Sequence, residues 1–252
     1  MRLTVDQWHA RFLEQSVWTA SLRAFLFEQA RADTAHQILE VGSGTGAITA
    51  SLHRTTPARI FGAELLWQRA NFAQKVDPNT DFSCADALAL PFADHQFGIT
   101  FCHYFLLWMN DQANNALREM VRVTRSGGIV LAVAEPAYSA RIDYPPELVK
   151  LGRLQTQSLI RQGANSDIGV HLPELFSQAG LMEIKFGLSG FQNNLQVLPE
   201  WLESEWETIR NDLQDDLTAA EMKALKAIDQ RAWQDGSRVL HIPTFYALGM
   251  VR

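Results

Sequence analysis

Three glycines stand at alternate positions in Glu40-Val41-Gly42-Ser43-Gly44-Thr45-Gly46, overlapping the apolar run Gln37-Ile38-Leu39-Glu40-Val41. A glycine loop between a strand and a helix lets the backbone approach a bound nucleotide, because no Cβ stands in the way. The loop is denser in glycine than a structural turn requires. About 20 residues further on, Glu64 ends a second strand-like run, where its carboxylate can accept hydrogen bonds from both hydroxyls of a ribose. Asp86 follows a third such run, placed to accept from an adenine amino group. His103 stands at the carboxyl end of a fourth, the side of an open α/β sheet where ligands bind. These residue types imply nucleotide-cofactor chemistry. The candidate proton acceptors are His103, Tyr104, Glu135, Tyr144 and His171, and His103 is the best placed.

The loop by itself leaves two cofactors open. Gly42, Gly44 and Ala47 also satisfy the G-x-G-x-x-A form of the dinucleotide fingerprint, and nicotinamide and adenosylmethionine cofactors both carry a ribose for Glu64. Glu40 tips the balance. An acid before the first glycine is unfavourable beside a pyrophosphate and tolerable beside a cationic sulfonium and ammonium. Asp86 and the run Leu90-Pro91-Phe92-Ala93-Asp94-His95-Gln96-Phe97 into the fourth strand point the same way.

Residues 37–136 thereby resemble the class I S-adenosylmethionine-dependent methyltransferases, in particular the small-molecule group similar to ubiquinone/menaquinone biosynthesis methyltransferases. The motifs are Ile38 to Gly46, Glu64, Ala85-Asp86-Ala87-Leu88, Leu90-Pro91-Phe92 and Arg122-Val123-Thr124-Arg125-Ser126-Gly127-Gly128, with a weaker echo at 172–181. The resemblance implies S-adenosylmethionine as cofactor. Glu40, Gly42, Ser43, Gly44 and Gly46 would wrap its methionine and ribose portion. Glu64 and Leu65 would meet the ribose, Asp86 and Ala87 the adenine. Cys102 and His103 would line the pocket near the sulfonium. Gln15 and Trp18 are expected to reach the cofactor from the N-terminal segment. The family more often shows Asp where this chain has Glu40 and Glu64. No metal site is expected.

The elements that must position these residues alternate. Strands are expected at 37–41, 58–64, 81–84, 97–103, 129–134, 183–188 and 245–251, and helices at 47–53, 65–75, 114–123, 145–160 and 172–179. Alternating strand and helix patterns imply a parallel sheet covered on both faces. The expected fold is α/β: a Rossmann-like seven-stranded, mostly parallel sheet with helices on both faces and a helical cap. One domain spans 1–252, with a core at about 33–136, 171–191 and 240–252. The cap segments are about 1–31, 138–170 and 192–236. Residues 5–31 read as two helices broken near Ser16. Residues 198–233 read as helix interrupted near Thr218, where Thr218-Ala219-Ala220-Glu221 has the form of a capping box.

The chain has 252 residues, 22 basic against 28 acidic, a net charge of −6. That balance and the lack of a Lys/Arg run weigh against a nucleic-acid partner, which demands a basic face. No apolar run is long enough to span a bilayer, and the N-terminus lacks a signal-peptide core. A cytoplasmic protein, monomer or homodimer, is expected. Cys84 and Cys102 form no metal or disulfide pattern and are expected as buried thiols. The expected reaction is methyl transfer to a small, partly apolar metabolite by in-line displacement, with His103 as base where a proton must leave. The alternatives are an NAD(P)-dependent oxidoreductase and a non-catalytic adenosylmethionine-binding module. The apolar run Phe105 to Met109 is a candidate substrate wall, and Trp8, Trp18, Trp201, Trp206 and Trp233 candidate roof residues.

Overall fold

The computed structural model describes residues 4–189 and 201–252. The parts of the expected cap at 1–3 and 192–200 lie outside the described residues. Two helices open the chain, α1 (Val5–Trp18) and α2 (Ala20–Gln29), followed by β1 (Gln37–Val41), α3 (Thr49–Leu52), β2 (Arg59–Glu64), α4 (Trp67–Val76), β3 (Asp81–Cys84) and β4 (Phe97–Cys102). Next come α5 (Ala113–Val123), β5 (Thr124–Pro136), β6 (Ile142–Tyr144), α6 (Val149–Arg161), α7 (Ile168–Gln178) and β7 (Met182–Ser189). The chain ends with α8 (Leu202–Leu213), α9 (Ala219–Gln234), β8 (Val239–His241) and β9 (Thr244–Met250).

Seven strands form one sheet in the order β3-β2-β1-β4-β5-β9-β7. Strands β1 to β5 pair in parallel, and β9 runs antiparallel to both β5 and β7. The strand order reverses between β1 and β4, and the glycine loop leaves the carboxyl end of β1 at this switch point, where open α/β sheets bind ligands. Because successive side chains alternate, β1 feeds two cores. Leu39 and Val41 pack on the face carrying α5 and α7 with Leu117, Met120 and Phe176. Ile38 packs on the other, with Leu22, Leu26 and Phe27 of α2. The C-terminal part of the first expected cap segment therefore covers the sheet, and only α1 stands over the carboxyl edge.

A third core holds the cap together. Leu148 and Leu151 meet Leu202, Trp206, Ile209 and Leu213 of α8, with Met222, Leu225 and Trp233 of α9. Trp206 is fully buried, and its indole Nε1–H donates to Asp229 Oδ2 at 2.8 Å. The capping box at Thr218 forms: Glu221 N–H donates to Thr218 Oγ1, and Glu221 Oε2 accepts from Thr218 N–H at 2.9 Å.

Several expectations are corrected. The break between α1 and α2 falls at Thr19, whose hydroxyl is held by His103 and Arg23, tertiary contacts that local periodicity does not encode. The strand expected at 129–134 starts earlier, at Thr124, with Ser126-Gly127-Gly128 in a bulge where pairing with β4 jumps from Phe97–Thr124 to Ile99–Ile129. The two-stranded ribbon β6–β8 is absent from the sequence reading, since three-residue strands carry too little periodicity. Helix α7 begins at Ile168, four residues before the predicted start, with Pro173 inside it. Cys84 is exposed, because it ends the short edge strand β3, while Cys102 on central β4 is buried.

Candidate active site

The loop after β1 folds back on β2: Ala63 O accepts from Gly42 N–H at 2.8 Å and from Ser43 N–H at 3.0 Å. Gly42 and Gly44 have φ of +74° and +56°, the left-handed region that L side chains avoid. A Cβ on Gly42 would overlap the Phe105 ring, and one on Gly44 would come within 3.2 Å of Phe12 on α1. The loop thus leaves a backbone-lined floor under a cavity of about 830 Å³.

Glu64 closes the adjacent wall. It is 7% exposed. Its Oε2 accepts from Gly44 N–H and its Oε1 from Leu66 N–H, each at 3.0 Å. Each oxygen keeps a lone pair for a ligand hydroxyl. Asp86 is exposed at the far rim, with Oδ1 accepting from Leu88 N–H at 2.9 Å. Leu65, Leu66, Ala87 and Leu88 complete that apolar end.

Glu40 and Ser43 are the most informative pair. Both line the cavity and are buried, yet Glu40 Oε2 and Ser43 Oγ have no hydrogen-bond partner among the described residues. Buried polar atoms are rarely left unpaired. Burial pushes the Glu40 carboxyl well above its usual range, and the nearby Arg23 charge opposes this. A cationic or hydrogen-bonding ligand would supply the missing partners.

His103 lies in the cavity wall beside them. Its Nε2 is 2.8 Å from Thr19 Oγ1, which also accepts from Arg23 Nη1 at 2.7 Å. Burial, reinforced by the Arg23 charge, lowers the imidazole pKa to about 3. His103 is therefore neutral at physiological pH and a weak proton acceptor, which is unfavourable to the expected base role. Tyr104 also lines the cavity, and burial pushes its phenol up.

Other predicted residues fall elsewhere. Gly46 faces Phe82 and Ala73 behind the loop, and Cys102 is buried in the sheet core; neither lines the cavity. Tyr144 is exposed on the ribbon and His171 exposed on α7. Glu135 supports the cavity wall. Fully buried at the end of β5, it accepts from Phe105, Leu106 and Leu107 N–H groups at 3.0, 2.9 and 3.1 Å. It thereby fixes the turn that carries Phe105, Leu107 and Trp108 into the cavity. Burial outweighs those three bonds and raises its pKa to about 7.

Helix α1 brings Gln15 and Trp18 to the cavity wall, together with Trp8, Arg11 and Phe12. It is seated by His9 Nδ1 on Thr45 Oγ1 at 2.9 Å, by Arg69 over the Trp8 and Phe12 rings, and by Arg11 on Glu205 at 2.9 Å. Trp201 and Trp233 reach the cavity, whereas Trp206 stays in the cap core. The lining residues of α8, Gln155 and Leu159 of α6, and Gln162 just beyond its end were missed. Their three- and four-residue spacing was the available signal, but it equally describes a solvated face.

Residues 39–132 match the family described as Methyltransferase domain. The chain is 31% identical over 162 residues to methyltransferase GfsG of Streptomyces halstedii, covering 62% of this chain and 56% of that one. It is 33% identical over 127 residues to the ubiquinone/menaquinone biosynthesis C-methyltransferase UbiE of Desulfotalea psychrophila, covering 49% and 51%. The chain thus spans about half the length of these curated relatives. Among solved structures, it resembles the cyclase SpnF with a TM-score of 0.59 at 19% identity, over 92% of this chain and 81% of that one. It also resembles a geranyl diphosphate methyltransferase in complex with SAM, with a TM-score of 0.57 at 14% identity, over 93% and 85%. Matched domain, strand order and glycine floor together make the chain similar to the S-adenosylmethionine-dependent methyltransferases. Among the described residues no helix is long and apolar enough to cross a membrane.

Proposed function

We propose that the protein transfers a methyl group from S-adenosylmethionine to a small, partly apolar metabolite rather than to nucleic acid. The observation that carries this is one large cavity among the described residues. It joins the glycine floor and the unpaired Glu40 and Ser43 oxygens to an aromatic chamber under the cap. A largely apolar concave space of this size suits a cofactor with a small acceptor, and an acidic chain gains little from phosphate contacts.

When bound, S-adenosylmethionine supplies a methyl carbon on a cationic sulfonium. It would offer that methyl to an acceptor lone pair, with the sulfur leaving as a neutral thioether. Glu40, Gly42, Ser43 and Gly44 would hold the methionine end, Glu64 and Leu65 the ribose, and Asp86 and Ala87 the adenine. Gln15 and Trp18 would close over the reacting end from α1. His103 serves as a neutral wall whose orientation Thr19 fixes. Rate enhancement then comes chiefly from near-attack positioning and exclusion of water.

Gly44→Val tests the reading. Its side chain would enter cavity volume from a left-handed backbone position. Calorimetry should show loss of S-adenosylmethionine binding in a folded variant. Unchanged binding would overturn the cofactor assignment.

A further inference from the structure

The acids around the glycine loop account for the charge at the cofactor end of the cavity; the cap end has a balance of its own. We propose that the methyl acceptor carries a protonated amine, not a carboxylate or phosphate, and that Asp212 is the counter-charge that selects it. This rests on the methyl-transfer reading above.

Trp201 at the N-cap of α8, and Glu205, Thr208 and Asp212 within the helix, recur at four-, three- and four-residue spacing and line the cavity. The opposite face of the helix, Leu202, Trp206, Ile209 and Leu213, is buried in the cap core. The stripe is therefore fixed in orientation by packing on its other side.

An anionic acceptor would need a free cation on this wall, and every described arginine lining the cavity is already engaged. Arg11 is ion-paired with Glu205 at 2.9 Å, although the geometry gives Glu205 Oε2 no hydrogen bond. Arg141 is held by Asp143 at 2.6 Å, and that carboxylate is shared with Arg238, itself paired with Asp229. Arg69 lies over the Trp8 and Phe12 rings at the cofactor end. Among the described residues no lysine lines the cavity. His103 is held uncharged, which leaves His241 as the remaining basic group on the wall. The undescribed residues 190–200 contain neither Lys nor Arg, and Arg2 is the one basic side chain among residues 1–3.

Asp212 stands opposite. It is half-buried and forms no salt bridge among the described residues; its side-chain partner is Asn211, at 3.1 Å. Burial pushes its carboxyl up, Arg11 opposes that, and Glu205 adds to it. The wall therefore carries one carboxylate beyond its cations. A carboxylate or phosphate entering here would lose water without gaining a partner and would meet a like charge. An ammonium would gain the Asp212 carboxylate and approach the indoles of Trp18, Trp201 and Trp233, which stack edge to face at 5.8 and 5.7 Å.

The experiment incubates the protein with methyl-labelled S-adenosylmethionine and a small-molecule cell extract, resolves the labelled products chromatographically from the unreacted cofactor, itself a cation, against a control without protein, and then separates those products by charge at pH 7. Label in the products should be retained on a cation exchanger. Label on an anion exchanger, or in the uncharged flow-through, overturns the proposal. Asp212→Asn should lower labelled product at least tenfold, and Asp212→Glu should restore most of it. Affinity for S-adenosylhomocysteine, measured by calorimetry, should stay within twofold in both, which also reports that they fold. Unchanged labelling in Asp212→Asn overturns the role of Asp212. Absence of S-adenosylhomocysteine binding in the parent protein would instead sink the methyl-transfer reading itself. Binding without label in any small-molecule fraction would remove the acceptor reading, and this proposal with it.

Discussion

Glu135 offers a sharp test of how this cavity wall is held. The carboxyl is fully buried and bonded to three consecutive backbone N–H groups, and burial still raises its pKa from an ordinary 4.5 to about 7. Between those two values the folded state binds more protons at this site than the unfolded state. Stability must therefore fall as pH rises through that window. At about 1.4 kcal/mol per pKa unit, the loss between pH 5 and pH 8 comes to roughly 2–3 kcal/mol. Glu135→Gln removes the titration. Its amide oxygen still serves Phe105 and Leu106, but its NH₂ group faces Leu107 N–H, and an unpaired buried donor costs about 1–3 kcal/mol. The variant should be less stable than the parent at pH 5 and close to it, or above it, at pH 8. Urea unfolding followed by tryptophan fluorescence at the two pH values measures this. Glu40, the other strongly raised acid, titrates in both proteins and cancels in the difference. A parent–variant gap that is the same at pH 5 and pH 8 would refute the reasoning.

Glu64→Ala and Asp86→Ala should each weaken S-adenosylmethionine binding roughly ten- to a hundredfold, because a lost hydrogen bond to a charged acceptor is worth about 1.5–3 kcal/mol. Glu64→Ala should also loosen the loop, since it removes the acceptor of Gly44 and Leu66; calorimetry showing parental affinity in both variants would reject the mapping. With its pKa lowered to about 3, His103 should contribute no ionisation to turnover between pH 5 and 8, and His103→Ala should reduce turnover more than cofactor affinity. An inflection near pH 6.5 that disappears in His103→Ala would reinstate it as a base.

The sequence by itself determined the sheet and the glycine-loop end of the cavity. Strands β1 and β3 have the predicted bounds, and the other main-sheet strands were placed closely, apart from the stretch of β5 before Ile129. Central strands read as apolar runs because both faces are buried. Gly42, Gly44 and Glu64 were legible because their contacts are local to one strand–loop–helix unit and its neighbour. Tertiary structure decided the rest. Whether Cys84 is buried depends on β3 being an edge strand, and an edge is a property of the assembled sheet. The weakness of His103 as a base arises from burial and from Arg23, eighty positions earlier in the chain. Glu135 looked like a proton acceptor in the sequence and is a backbone clamp in the fold, because the three N–H groups it binds belong to a turn about thirty residues away. The polar stripe on α8 has the periodicity of any exposed helix face. Only the packing of Trp206 and its neighbours into the cap core turns that stripe inward, because a helix buries whichever face finds an apolar partner.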